Sequence, residues 1–263
     1  MAFLELHFYA DSLACDTTVN VLLPEARKGR GPYVPGSTYK TLYLLHGLSD
    51  DHTAWMRKSS IERYAAEYGI AVVMPNVNRS WYTDTAYNAN YFTFLTKELP
   101  TVCRRYFKNM SEKREDNMIA GLSMGGYGAV KSALLCPEVF GACASLSGAL
   151  DITRRNRVYN LEEWRSIFGF DLQSADELTD SKHDLFAIAK RNREKGVPMP
   201  DLYLWCGTED TLITVNRDFS KHLHELDIKH QYEESEGDHS WKWWDLHIQS
   251  ALRYFFNKEN LPH

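Results

Sequence analysis

The chain has 263 residues, a formal net charge of −5 at pH 7 and a pI of about 6.1. This length can bury a large core, and α/β folds of this size often form one domain. The acidic balance and the mixed signs of the charges argue against a nucleic-acid partner. No apolar run approaches the length of about 18 residues that a membrane-spanning helix needs.

Short apolar runs, typical of strands, alternate with longer amphipathic stretches, typical of helices. Strands are predicted at residues 4–9, 17–23, 41–45, 70–74, 117–120, 141–146, 202–205 and 229–233. Helices are predicted at residues 59–68, 91–107, 127–135, 161–168, 185–191, 215–226 and 244–256. Residues 28–37 are rich in glycine, proline and basic side chains, and they are predicted to form a loop.

This order predicts an α/β fold with a mostly parallel central sheet and helices on both of its faces. Between residues 151 and 200 helical fragments appear without a clear strand. We interpret that stretch as a helical, cap-like insertion within a single domain of residues 1–263. Because functional residues of such sheets gather at the carboxyl ends of strands, the residues that follow each strand are the candidates for a site.

A nucleophile motif follows the strand predicted at residues 117–120. The sequence Gly121-Leu122-Ser123-Met124-Gly125 fits Gly-x-Ser-x-Gly, in which a serine stands on a sharp turn between a strand and a helix. The glycines let the strand and the helix pack closely on either side of the turn. Ser123 is therefore the candidate nucleophile, at a helix N-terminus that favours a developing negative charge.

A serine needs a base, and the base needs an acid that fixes its tautomer. His239 lies in the loop after the last predicted strand, and Asp210 lies in the loop after the strand at residues 202–205. The order Ser123, Asp210, His239 is the order expected of α/β-hydrolases. Glu209 is adjacent to Asp210 and stays open as the acid, and Asp210 could instead cap a helix.

The same chemistry needs an oxyanion hole made of two backbone N–H groups. One donor should be the amide of Met124, which follows the nucleophile. The other should come from the loop after residue 45, where Leu48 is preferred and Gly47 is second. The alternative for this loop is an ordinary turn at the end of a strand.

Several aromatic residues are candidates for substrate binding. Trp81, Tyr82 and Tyr87 lie in one loop before a predicted helix, and Trp241 follows the candidate histidine. Trp81, Tyr82 and Tyr87, with Tyr91 at the start of that helix, could line an acyl or aryl pocket, and Gly47 and Trp241 are further candidates for substrate binding. The alternative for the loop is that its aromatic side chains pack on the sheet.

No metal or cofactor is expected. Asp50, Asp51 and His52 are consecutive, but such residues usually form a solvated loop and the chemistry needs no metal. The five cysteines are scattered without a Cys-x-x-Cys pair, so reduced thiols are expected and a structural zinc is not. Residues 1–7 lack the features of a signal peptide, so we expect a cytoplasmic location.

Five motifs together resemble the esterase D-like family of esterases. They are His46-Gly47-Leu48, Trp81-Tyr82-Thr83-Asp84, the nucleophile motif through Ala129, Gly207-Thr208-Glu209-Asp210 and Gly237-Asp238-His239-Ser240-Trp241. Within that family the chain is most similar to tributyrin esterases, which act on short acyl esters. The resemblance implies an α/β-hydrolase fold and the same three catalytic residues.

The expected function is that of a serine carboxylesterase acting on short-chain acyl esters, small-molecule substrates, through an acyl-enzyme. The alternatives are a feruloyl or acetylxylan esterase, an S-formylglutathione hydrolase, an acyltransferase and, outside enzymes, an inactive ligand-binding module. S-formylglutathione hydrolases commonly carry histidine where this chain has Leu122. The natural substrate and the oligomeric state, including a homo-oligomer, stay open.

Overall fold

The computed structural model describes residues 1–25, 34–153 and 161–256. Its strands are β1 Ala2–Ala10, β2 Cys15–Leu23, β3 Thr41–Leu45, β4 Ala71–Pro75, β5 Asn117–Leu122, β6 Ala142–Leu146, β7 Asp201–Gly207 and β8 His230–Ser235. They form one sheet in the order β1-β2-β4-β3-β5-β6-β7-β8. The strand β2 is antiparallel to β1 and β4, whereas the pairs from β4 to β8 are parallel. The prediction of a mostly parallel sheet is confirmed.

Most of the helices lie between consecutive strands in the chain. They are α1 Ala54–Lys58, α2 Ile61–Tyr68, α3 Tyr91–Thr93, α4 Leu99–Tyr106, α5 Met124–Leu135, α6 Leu161–Phe168, α7 Leu185–Glu194, α8 Ile213–Glu225 and α9 Trp241–Phe256. The sequence did not predict α1, because five residues are too few to show a helical period.

The helix predicted at residues 91–107 is not uniform. A π-helical segment, Phe94–Glu98, separates α3 from α4. Pro100 lies in the first turn of α4, where its missing N–H breaks no hydrogen bond of a regular helix. Such π-helical turns are rare, and they occur mostly as single turns inside α-helices.

Apolar side chains cover both faces of the sheet. In β3, Tyr43 and Leu45 point into the core shared with α4, α5, α7 and α8, whereas Leu42 and Leu44 point into the core shared with α2 and α9. Both faces are therefore covered by helices, which explains why β3 reads as a continuous apolar run.

The predicted insertion keeps its helical character in the part that the structure describes. Within residues 151–153 and 161–200 the regular elements are α6, α7 and the short 3₁₀ segment Ala175–Leu178, and none of the described residues there is a strand. Of the loop predicted at residues 28–37, residues 28–33 lie outside the described part of the chain.

Parallel pairing brings the ends of several strands to one edge of the sheet. Leu45 is level with Gly121 and Leu122 is level with Leu146, so β3, β5 and β6 end together. The segments that follow β3, β5, β7 and β8 carry His46, Ser123, Asp210 and His239 respectively.

Candidate active site

The turn at Ser123 has the strained geometry that the motif predicts. Ser123 lies between β5 and α5 with a φ of 53°, which is uncommon for any residue except glycine. Its amide donates to the carbonyl of Leu146 at 3.0 Å, and its carbonyl accepts from the amide of Ala149 at 3.1 Å. These bonds to the β6 side hold the strained backbone in place.

The two glycines of the motif are required by close backbone packing. A Cβ on Gly121 would lie 2.4 Å from the carbonyl oxygen of Gly125, and one on Gly125 would lie 2.6 Å from the carbonyl oxygen of Leu45. No side chain fits at either position without moving the backbone, as the sequence analysis expected.

Ser123, His239 and Asp210 form one chain of hydrogen bonds. The Ser123 Oγ lies 3.0 Å from His239 Nε2, and His239 Nδ1 lies 2.8 Å from Asp210 Oδ2. The second Asp210 oxygen accepts from the amide of Leu212 at 2.8 Å. Because a carboxylate only accepts, Nδ1 carries the proton and Nε2 is free to accept from the Ser123 hydroxyl.

The carboxyl of Asp210 stays ionised although its side chain is fully buried. Burial by itself raises its pKa, but hydrogen bonds from His239 and from the Leu212 amide outweigh burial and hold the pKa below its usual value. A buried, ionised carboxylate next to an imidazole stabilises the imidazolium that forms when the base takes a proton.

Glu209 has another role. Its carboxylate accepts from the amide of Gly237 at 2.7 Å, and its own amide donates to the Gly237 carbonyl at 3.0 Å. Hydrogen bonds from Gly237 and Thr208 lower the pKa of this exposed carboxyl. Glu209 thus joins the loop of the acid to the loop of the histidine, and Asp210 is the carboxylate that contacts His239.

The loop after β3 passes directly beside Ser123. A Cβ on Gly47 would lie 3.9 Å from the Cβ of Ser123 and 2.8 Å from the Cδ1 of Leu122. Leu48 is the next residue, and Met124, as the first residue of α5, has an amide without an intrahelical acceptor. Both predicted oxyanion donors therefore belong to segments that border Ser123.

His46 fixes the orientation of this loop. Its ring is buried, its Nε2 accepts from the amide of Val77 at 3.1 Å, and its Nδ1 therefore donates to the Gly47 carbonyl at 2.7 Å. Burial lowers the pKa of His46, so the ring stays neutral. Because C=O and N–H point in opposite directions across a trans peptide, a fixed Gly47 carbonyl also fixes the direction of the Leu48 N–H.

The aromatic loop packs against the core. Trp81 and Tyr82 are 2% and 0% exposed, so they offer almost no surface to a substrate. The Trp81 ring packs edge-on against Tyr127, and the Tyr82 hydroxyl donates to the His46 carbonyl at 2.9 Å. For these two residues the packing alternative describes the structure, and a role in substrate binding stays a prediction.

The other two aromatic candidates lie elsewhere. Tyr87 is 74% exposed, whereas Trp241 is half-buried, packs edge-on against Trp55 and Trp244, and has the Lys58 ammonium 5.2 Å from the centre of its ring. Trp241 is two residues from His239 and stays a candidate for substrate contact.

A buried lysine connects the aromatic loop to the insertion. The Lys131 ammonium, on α5, donates to Thr83 Oγ1 at 2.6 Å and to the Tyr82 carbonyl at 3.3 Å, and it contacts His183 Nδ1 at 3.2 Å. Burial and then Lys182 lower its pKa to about 7. Burial and then Lys131 lower the pKa of His183 to about 2, so this ring accepts from the ammonium.

The acidic stretch after β3 is held by the protein itself. Asp50 forms an ion pair with Lys58 at 2.8 Å, and Asp51 accepts from Thr53. In the described part of the chain no group of His, Cys, Asp and Glu side chains could hold a metal ion. None of the helices that the described residues form has the length and apolar character to cross a membrane.

The family model described as "Putative esterase" matches residues 10–255. The chain belongs to this esterase family. It is also 32% identical to an acetyl esterase of Caldicellulosiruptor saccharolyticus, over 97% of this chain and 98% of that protein. The protein is a carboxylic ester hydrolase, so the alternative of an inactive ligand-binding module is wrong.

Two solved structures are similar to this chain in sequence and in fold. The fluorophosphonate-binding serine hydrolase F of Staphylococcus aureus is 33% identical, with a TM-score of 0.88, and the match covers 97% of this chain and 98% of the other. An S-formylglutathione hydrolase of Staphylococcus aureus is 32% identical, with a TM-score of 0.85 and the same coverage. The fold is that of the α/β-hydrolases, as predicted.

No role was predicted from the sequence for His46 or for Ser147. Ser147 directly follows β6, and a hydrogen bond from it helps to lower the pKa of Asp210. For His46 a signal existed, since it precedes the predicted oxyanion loop. For Ser147 the sequence carries no motif, because a lone serine after a strand is common in any α/β protein.

Proposed function

We propose that the protein is a serine carboxylesterase that hydrolyses short-chain acyl esters, with Ser123 as nucleophile, His239 as base and Asp210 as acid. The observation that supports it best is the unbroken chain of contacts, 3.0 Å from Ser123 Oγ to His239 Nε2 and 2.8 Å from His239 Nδ1 to Asp210 Oδ2.

In the first half of the reaction, Ser123 Oγ attacks the ester carbonyl carbon while His239 Nε2 takes the hydroxyl proton. Asp210 stabilises the resulting imidazolium. The carbonyl oxygen becomes negative and accepts from the amides of Met124 and Leu48. When the C–O bond breaks, the imidazolium gives its proton to the leaving alcohol, and the acyl group remains on Ser123.

In the second half, water takes the place of the alcohol. His239 removes a proton from the water as its oxygen attacks the acyl carbon, and the same two amides hold the oxyanion. Collapse of this intermediate releases the carboxylic acid and returns the proton to Ser123. No metal or cofactor is needed for any of these steps.

The preference for short acyl groups has its support in the acetyl esterase relative and in the burial of the aromatic loop. The acetyl esterase matches almost the full length of the chain. A feruloyl esterase would need aromatic side chains open to a bulky aryl group, but Trp81 and Tyr82 are buried.

An S-formylglutathione hydrolase is the second candidate, since one similar structure carries that name at 32% identity. Leu122, the residue at which this chain departs from the common pattern, is 1% exposed and packs beneath Gly47. Its side chain cannot touch a substrate, so this departure does not exclude a formyl thioester.

A substrate panel tests the proposal. We expect p-nitrophenyl acetate or butyrate to give a higher kcat/KM than the decanoate, methyl ferulate or S-formylglutathione, and Ser123→Ala to abolish turnover of all of them. Highest kcat/KM for the decanoate or for methyl ferulate would contradict the short-chain preference. Highest kcat/KM for S-formylglutathione would select the second candidate.

A further inference from the structure

Ser147 is a buried serine in an unusual backbone conformation behind the candidate site. It follows β6, is 0% exposed and has a φ of 49°, in the left-handed region that few serines adopt. Its amide donates to the Trp205 carbonyl at 2.7 Å. Strain of this kind persists only where the surroundings hold it, and it often occurs at functional sites.

The hydroxyl of Ser147 has a defined hydrogen-bond direction. The indole Nε1 of Trp244 lies 3.1 Å from Ser147 Oγ, and an indole N–H can only donate, so the serine oxygen accepts. The proton of the hydroxyl is then available for Asp210, whose carboxylate can only accept, and a hydrogen bond from Ser147 is among the causes that hold the pKa of Asp210 below its usual value.

The third possible partner does not compete for this proton. The Cys206 thiol also contacts the Ser147 hydroxyl, but burial raises the pKa of Cys206 to about 12, so the thiol stays protonated. A protonated thiol is only a weak acceptor, whereas the Asp210 carboxylate is charged and accepts strongly. Ser147 therefore accepts from Trp244 and donates to Asp210.

Trp244 contacts the other member of the acid–base pair as well. Its ring packs edge-on against the His239 imidazole, with the ring centres 4.9 Å apart and the planes at 86°. Trp244 is 5% exposed and lies in the second turn of α9. The contacts thus close a ring that runs from His239 to Asp210, Ser147 and Trp244 and returns to His239.

We propose that Ser147 and Trp244 are positioning residues that set the rotamer and the charge of Asp210 and the plane of the His239 ring. This inference rests on the proposed roles of Ser123, Asp210 and His239. Neither residue touches the substrate. Ser147 acts by donating to the carboxylate, and Trp244 acts by directing the Ser147 hydroxyl and by packing against the imidazole.

The test is Ser147→Ala, which keeps the Cβ and removes only the hydroxyl. We expect kcat for p-nitrophenyl butyrate to fall about tenfold to a hundredfold, the size expected for one hydrogen bond to a charged group, with KM nearly unchanged. The carboxylate that loses a donor keeps more negative charge toward His239. The midpoint of the acidic limb of the kcat/KM profile should therefore move to higher pH by about 0.5 units.

Ser145→Ala is the matched control. Ser145 lies two residues earlier in β6, is fully buried, and its Oγ has no hydrogen-bond partner among the described residues. This variant should keep the wild-type kcat and pH profile. Trp244→Phe is the second variant, because it removes the indole N–H and keeps a ring against His239; it should change kcat and the acidic limb in the same direction as Ser147→Ala, by less.

The melting temperature of each variant shows that it is folded at the assay temperature. If Ser147→Ala matches Ser145→Ala, or lowers kcat without moving the acidic limb, the positioning role of Ser147 is overturned. Wild-type values for Trp244→Phe in both measurements overturn the role of Trp244. If Ser123→Ala keeps its activity, it is the proposed function that fails.

Discussion

Glu209 and Gly237 are joined by two hydrogen bonds, from the Glu209 amide to the Gly237 carbonyl at 3.0 Å and from the Gly237 amide to the Glu209 carboxylate at 2.7 Å. This pair holds the loop that carries Asp210 against the loop that carries His239. Glu209 and Asp210 are adjacent but have different roles, because Asp210 faces the imidazole and Glu209 faces the backbone.

Substitution of each acid should separate these roles. Asp210→Asn keeps the shape but removes the charge and the tautomer control, so we expect kcat to fall by about 10⁴. Glu209→Gln keeps one acceptor oxygen for the Gly237 amide, so kcat should fall less than about tenfold. Steady-state kinetics with p-nitrophenyl butyrate measure both, and the reverse order of effects would assign the acid to Glu209.

The loop that carries the predicted oxyanion donor should depend on His46. Without the Nδ1–H, the Gly47 carbonyl is no longer held and the Leu48 N–H loses its fixed direction. We expect His46→Phe to lower kcat at least about tenfold. The loss should approach the factor of about 10²–10³ by which removal of one oxyanion donor lowers kcat. His224→Phe, on the exposed side of α8, is the control and should retain wild-type kcat; equal kcat for the two variants would contradict the role of His46.

Close contact between two loops should make Gly207 indispensable. A Cβ there would lie 2.0 Å from the Gly237 carbonyl oxygen, so Gly207→Ala must push the histidine loop away from the acid loop. We expect a fall in kcat of more than about 10², since small misplacements of catalytic groups have effects of that size.

Gly196→Ala provides the comparison for this variant. Gly196 has a φ of 65° and open space around it, so alanine there costs about 1–2 kcal/mol of stability by backbone strain alone. Its kcat should stay at the wild-type value. Denaturant titration and kinetics on both variants separate lost stability from lost alignment, and a wild-type kcat for Gly207→Ala would show that the loops can part without harm.

Burial of Lys131 should make the stability of the protein depend on pH. Burial, and then Lys182, lower its pKa to about 7 in the folded protein, whereas Asp84 acts in the opposite direction. The unfolded chain therefore binds more protons than the folded one between pH 7 and about 10.4. The contribution of Lys131 to the free energy of unfolding should rise across this window, by at most about 1.4 kcal/mol per pH unit.

Urea unfolding at pH 7, 8 and 9 measures this slope. Lys131→Met should flatten the rise, because methionine does not titrate, whereas Lys221→Met should leave it unchanged, because the Lys221 side chain is 76% exposed. Equal slopes for Lys131→Met and the wild type would mean that Lys131 keeps an ordinary affinity for its proton.

Much of the fold could be predicted because burial imposes hydrophobic patterns on the sequence. The strand β3 was predicted at its observed bounds, because it is covered on both faces and all five of its residues are buried. The helix α1 was missed, because its five residues include only two buried ones, Ala54 and Trp55. Short helices of this kind form through tertiary contacts that the local sequence does not encode.

The candidate site divides in a similar way. Ser123, Asp210 and His239 could be chosen because order and strand-end position constrain them strongly. Trp81 and Tyr82 were ambiguous, because an aromatic loop has the same sequence whether its side chains line a pocket or pack in a core. Only the structure shows that this loop packs against Tyr127. Ser147 could not be chosen, because its role depends on the distant Trp244.

The central claim, that Ser123 carries the acyl group, can be measured directly. Rapid mixing with excess p-nitrophenyl butyrate, an acid quench and peptide mass spectrometry should find a butyryl group on Ser123 in the wild type and on no residue of Ser123→Ala. An unmodified Ser123 in the quenched wild-type enzyme while p-nitrophenolate is being released, or the same adduct on another residue of Ser123→Ala, would contradict the account.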